Sequence, residues 1–180
     1  MISTSRVIAG VSRIAASLLL AVLPAVGGCG YYSFTGAALP QHVNTIAIPA
    51  FEDQARSSLP NLGNELTELL IDRFVSQTRL SLVSDESGAD TVLSGAIDRY
   101  SNRPASVGGE ERATLNRVDI TVTVQFADRL KGQDLIPRRS FSAFGQYDPV
   151  ADGLEGESTA ASDALTQIAD DIFNAGTSNW

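Results

Sequence analysis

The 180-residue chain holds one cysteine, one histidine and one lysine, and each scarcity closes a route. With Cys29 as the only thiol, no intrachain disulfide is available and the core must hold by packing. His42 is alone and sits in a loop, so no H-x-x-H metal pair is possible and the ring is expected at the solvent surface. G-x-S-x-G is absent, and Gly108-Gly109 is too short to cradle a phosphate and reads as a turn. Asp and Glu are plentiful but fall on expected helix faces and turns, without an apolar setting to tune a catalytic pair. These gaps point away from an enzyme, a resident metal or a cofactor. Basic residues are also outnumbered, 13 against 21 acidic, for a net charge of −8, which disfavours nucleic acid as a partner. After the first 28 residues there is no further long apolar run, and no internal repeat.

What is present begins with an address. Arg6 and Arg13 are the only charges before Cys29, and Ile14 to Val26 is apolar apart from Ser17. That run is short for a membrane-spanning helix, which needs ~20 apolar residues, and suits the apolar region of an export signal. Val26-Gly27-Gly28 leaves accessible backbone before Cys29 and resembles a bacterial lipoprotein box, with Val26 where Leu is more usual. The box implies cleavage after Gly28, a diacylglyceryl thioether on Cys29 and acylation of the new amine. The other reading is a secretory signal cut near Gly27-Gly28, with Cys29 incidental. Several acyl chains at ~0.8 kcal/mol per buried methylene would make a firm anchor. Loss of residues 1–28 leaves 11 basic and 21 acidic residues, a net charge of −10. Residues 29–42 then form a tether, in which Tyr31, Tyr32 and Phe34 either sit at headgroup level or begin the core, and residues 43–180 form one domain.

Within that domain, Val43 to Phe51 reads as a strand that Pro49 confines to an edge or ends. Ser57 or Ser58 is placed to cap a helix over 61–77 with apolar residues at 62, 66, 69, 70 and 74. Leu80 to Val83 and Asp90 to Tyr100 are strands. Val118 to Phe126 alternates most cleanly, with Val118, Ile120, Val122, Val124 and Phe126 on one face and Asp119, Thr121, Thr123 and Gln125 on the other. Arg138 to Tyr147 is the last strand. Leu154 to Asn174 is a second amphipathic helix, which Gly176 should stop. The order β-α-β-β-β-β-α predicts an α+β two-layer sandwich: two helices on one face of a four- to five-stranded mixed, mostly antiparallel sheet.

The arginines are the candidate contacts. Arg99, Arg103, Arg112 and Arg117 surround one hairpin loop, and Arg129, Lys131, Arg138 and Arg139 the next. Successive hairpin loops lie at opposite ends of a sheet, so these should form two patches. Either could grip phosphate or carboxylate on a lipid headgroup by bidentate hydrogen bonds. The alternative is solvated charge beside Glu110, Glu111 and Asp128.

Three stretches together resemble a known family. They are CGYYSFTG from Cys29 to Gly36, TIAIPAFED from Thr45 to Asp53, and the helix LGNELTELLIDRF from Leu62 to Phe74. The strand from Ser87-Gly88-Ala89-Asp90 through Gly95 to Tyr100 is similar too. The chain resembles the LptE family of lipopolysaccharide-assembly lipoproteins. The resemblance implies an outer-membrane lipoprotein on the periplasmic face that plugs a large LptD-type β-barrel, helps it assemble and contacts lipopolysaccharide, without enzyme activity. Only the acylated cysteine carries over by residue, onto Cys29. A plug needs polar complementarity to a barrel interior, which Thr121, Thr123 and Gln125 would supply. A strand like TIAIPAFED before a helix also resembles the amino-terminal domain of TolB and the secretion lipoprotein CsgG, which would make the chain an envelope scaffold. Only one strand alternates strongly, which disfavours a CsgG-like pore.

Overall fold

A computed structural model describes residues 39–105 and 115–178. Its strands are β1 (Thr45–Ala47), β2 (Glu52–Asp53), β3 (Ser81–Leu82), β4 (Thr91–Pro104), β5 (Asn116–Asp128) and β6 (Gln133–Tyr147). Its helices are α1 (Leu62–Gln77) and α2 (Gly153–Thr177). All six strands join one sheet in the order β3-β1-β4-β5-β6, with β2 also beside β4. β1 runs parallel to β3 and β4, while β4-β5-β6 is antiparallel. The α+β expectation holds.

The helices are where the apolar stripes placed them. Leu62, Leu66, Leu70 and Phe74 of α1 are buried, as are Ala161, Leu165, Ile168, Ala169, Ile172 and Phe173 of α2. They cover the face of β5 formed by Val118, Ile120, Val122, Val124 and Phe126, each at most 1% exposed. Burying each such side chain contributes about 1.5–3 kcal/mol. Phe74 stands edge-on to both Phe126 and Phe173, with centroids 5.4 and 5.3 Å away. α2 lies so close to β6 that a Cβ on Gly145 would sit 2.1 Å from the Ala160 carbonyl oxygen.

Three local expectations fail for identifiable reasons. The strand expected over 43–51 is shortened to β1, and β2 forms just beyond its expected end, at Glu52–Asp53. Pro49 has no N–H to give, and Phe51 turns its ring inward and donates its amide to Thr67 Oγ1 at 3.0 Å. The serines do not cap α1. Ser57 Oγ donates to Asp53 and to the Leu59 carbonyl, Ser58 Oγ donates to Glu157, and left-handed Asn61 precedes the helix instead. Gly176 does not stop α2, which continues through Thr177. Gly176 is a packing residue, where a Cβ would come within 3.4 Å of both Phe126 and Phe74.

One irregularity positions the site. The β4-β5 register shifts between Ile97 and Arg99. This bulge resets which face each β4 side chain takes. Beyond it Arg99, Ser101 and Arg103 pair with Thr121, Asp119 and Arg117, and so join the face away from the helices.

Candidate functional site

The open face of the sheet is small and polar. Thr121 and Ser142 hydroxyls meet at 3.0 Å, as do those of Thr123 and Ser140, and Gln125 Nε2 donates to Asp134 at 3.0 Å. Such cross-strand pairs fix register without needing a covering layer.

At the end of this face formed by the end of β4 and the start of β5, Arg103 and Arg117 lie opposite each other and share one carboxylate. Arg103 Nη2 is 3.1 Å from Asp119 Oδ2, and Arg117 Nε is 2.8 Å from Asp119 Oδ1. Arg117 also stacks over the Phe144 ring, 3.7 Å from its centroid, and Phe144 is 45% exposed. With Arg99 these side chains line a groove of about 290 Å³. Among the described residues three guanidinium groups face one carboxylate there, which leaves the groove an excess of positive charge and of N–H donors in an acidic chain. An anion or a sugar ring can be met by both the forks and the aromatic face. Arg112 lies outside the described residues.

The second expected cluster does not form one patch. Arg129 and Lys131 lie on the β5-β6 turn at the opposite end of β5. Arg138 and Arg139 are on β6 itself, and neighbours in a strand point to opposite faces. Arg138 borders a pocket on the open face with Glu52 and Gln54, while Arg139 covers Phe141 at 4.4 Å on the helix side.

Two buried carboxylates depart from the expectation that acids stay on solvated surfaces. Asp128 has a fully buried side chain, and His42 Nε2 lies 2.5 Å from its Oδ2. Its Oδ1 accepts the amides of Leu130 and Lys131 at 3.0 and 3.1 Å. Burial pushes the Asp128 carboxyl up, but His42 and these two amides together hold it below the usual range. His42 is therefore a partly covered fastener and not a loop ornament. The alternation of β5 carried the signal: extended past Phe126, it places Asp128 on the buried face.

Glu157 is the other. Its Oε1 accepts the hydroxyls of Tyr100 at 2.6 Å and Ser58 at 3.0 Å. The Tyr100 bond leads in lowering the Glu157 carboxyl against the opposing effect of burial, while burial and Glu157 raise the Tyr100 phenol. Nearby, Tyr147 accepts amide donors from Asn102 at 2.7 Å and Asn116 at 3.2 Å. Carboxylates so committed to donors are fasteners, not proton shuttles. No group of three or more His, Cys, Asp or Glu able to hold a metal occurs among the described residues. No helix there is long and apolar enough to cross a membrane, which says nothing of strands.

The family model LptE, lipopolysaccharide-assembly, matches residues 43–175. No curated protein matches the chain. Among solved structures, a Xanthomonas campestris protein of the DUF330 family is 12% identical with a TM-score of 0.54, over 75% of this chain and 84% of that one. A hypothetical protein from Chlamydia trachomatis is 14% identical with a TM-score of 0.51, over 76% of this chain and 99% of that one. At such identities the likeness concerns the fold alone. The family match spans most of the chain, which belongs to the LptE family.

Proposed function

We propose that this LptE-family member is an outer-membrane lipoprotein, released from its signal at Gly28, acylated on Cys29 and facing the periplasm. It serves as plug and assembly partner of an LptD-type β-barrel in delivering lipopolysaccharide. It is not an enzyme. The observation that carries this reading is the family match over residues 43–175, joined to a sheet face of hydroxyls and amides that no described helix covers. A barrel lumen is polar, and a plug must offer it hydrogen-bonding groups on a rigid surface. The open face does so on a sheet whose other side is sealed by two helices. The groove of Arg99, Arg103, Arg117 and Phe144 is the part suited to lipopolysaccharide, whose phosphates match guanidinium forks.

The test is purification of tagged protein in mild detergent, with mass spectrometry of whatever accompanies it. A large outer-membrane β-barrel in stoichiometric amount is expected. A self-oligomer without a barrel would replace this reading with that of an envelope scaffold. The anchor is tested separately: Cys29→Ser should move the protein out of the membrane fraction, and its persistence there would refute acylation.

A further inference from the structure

The described chain enters the fold at one end of the sheet. Leu39 and Val43 are buried. The Arg79 guanidinium donates to the carbonyls of Leu39, Pro40 and Val43. His42 is fastened to Asp128, and Asp90 Oδ2 accepts the amides of Asn44 and Thr45 at 2.8 and 3.1 Å. Residues 39–45 therefore form a strap held across the start of β4 and the end of β5. Cys29 lies ten residues before Leu39 in the sequence, a reach of at most about 35 Å. β5 has 13 residues and is about 43 Å long. From Asp128 to Arg117, the partner of Arg103, β5 runs about 36 Å, the limit of that reach, whereas the β5-β6 turn lies beside the strap and well within it.

That turn has an outward side of one apolar residue between two cations. Asp128 holds the Leu130 and Lys131 amides inward, and Gly132 takes a φ of +63°. Arg129, Leu130 and Lys131 are consequently exposed, with Leu130 58% exposed between two cations. We infer that this turn is a second membrane contact: Leu130 enters the headgroup boundary of a phospholipid surface, and Arg129 and Lys131 meet its phosphates. The inference rests on acylation of Cys29 as proposed above. Asp85 and Glu86 lie near Arg129, which donates one N–H to the Glu86 carbonyl. With these acids close by, the attraction comes from the tip itself and should weaken in salt.

The test uses the full, acylated protein, in which Cys29 carries lipid and Leu130→Cys supplies the sole free thiol. An environment-sensitive fluorophore is attached there, or on Gln146→Cys at the far end of β6. Each protein is reconstituted into vesicles of phosphatidylethanolamine and phosphatidylglycerol, and floated vesicles are measured. Emission from position 130 should rise several-fold over the protein in detergent-free solution with its lipid removed, while position 146 stays solvent-like. Adding Arg129→Glu and Lys131→Glu should reduce the rise. A solvent-like signal at 130 in protein that floats would overturn the second contact alone. Protein that fails to float with Cys29 intact would overturn the anchor, and this proposal with it.

Discussion

Each end of the long sheet sequesters one carboxylate, and the two are used differently. At the strap end, Asp128 takes its donors from the next two amides but one and from His42, so it shapes a turn and ties the incoming chain to it. At the far end, Glu157 takes its donors from Ser58 and Tyr100, so it joins the loop before α1, strand β4 and helix α2. The cations follow the same division. Arg129 and Lys131 project from a stiff turn, whereas Arg103 and Arg117 are held in place on the sheet by Asp119. The lesson is that a buried acid is best understood from where its donors come. The local amides of Asp128 make a tip, while its distant donor His42, like the donors of Glu157, makes a joint.

Breaking the Asp128 side of this comparison should have the largest effect on stability. Asp128→Ala leaves two turn amides and His42 without their acceptor, and we expect a loss of about 3 kcal/mol in denaturant unfolding. Glu157→Ala should cost less, about 2 kcal/mol, because the Tyr100 and Ser58 hydroxyls lie closer to solvent and can recruit water. His42→Ala removes one of the Asp128 bonds and should cost about 1 kcal/mol; a cost equal to that of Asp128→Ala would mean the strap, not the turn, is what Asp128 supports.

Acid sharpens the comparison further. Both carboxyls are held below their ordinary values in the fold. Their stabilisation is complete above the unfolded carboxyl range near about pH 4 and is lost as pH falls through the lower, folded values. Asp128→Asn and Glu157→Gln should each flatten part of the acid limb of a plot of unfolding midpoint against pH. An unchanged limb in both would contradict the role given to the two acids. The smallest effect on stability is expected for Arg103→Glu with Arg117→Glu, since exposed ion pairs contribute about 0–1 kcal/mol. Its consequence should lie in partner binding.

Much of the fold was legible because it follows from periodicity. The five-residue apolar face of β5 and the two helical stripes specify which sides meet, and those residues are the buried core. The bulge after Ile97 was not legible, since an extra residue in a polar stretch leaves no trace in the alternation, yet it brings Arg99 and Arg103 onto the open face. The shortening of the expected 43–51 strand to β1 goes with Phe51 donating its amide to Thr67 in α1, a bond spanning sixteen residues that no local pattern encodes. At the candidate site, the opposite placement of Arg103 and Arg117 from Arg129 and Lys131 could be foreseen from hairpin connectivity. The separation of Arg138 from Arg139 was equally open to foresight, because adjacent strand residues must part. Asp128 was overlooked because it stands where the alternation of β5 runs into a turn.

Under the proposed function and the proposed membrane contact, the two ends have different partners, with the far-end groove facing the transport machinery and the strap end facing the membrane. The most direct test quantifies the β-barrel and lipopolysaccharide recovered with tagged wild type, with the Arg103→Glu, Arg117→Glu pair and with the Arg129→Glu, Lys131→Glu pair, all at matched expression. A marked loss of barrel or lipopolysaccharide is expected for the first pair and wild-type recovery for the second. Equal recovery from all three, or loss confined to the Arg129, Lys131 pair, would contradict it.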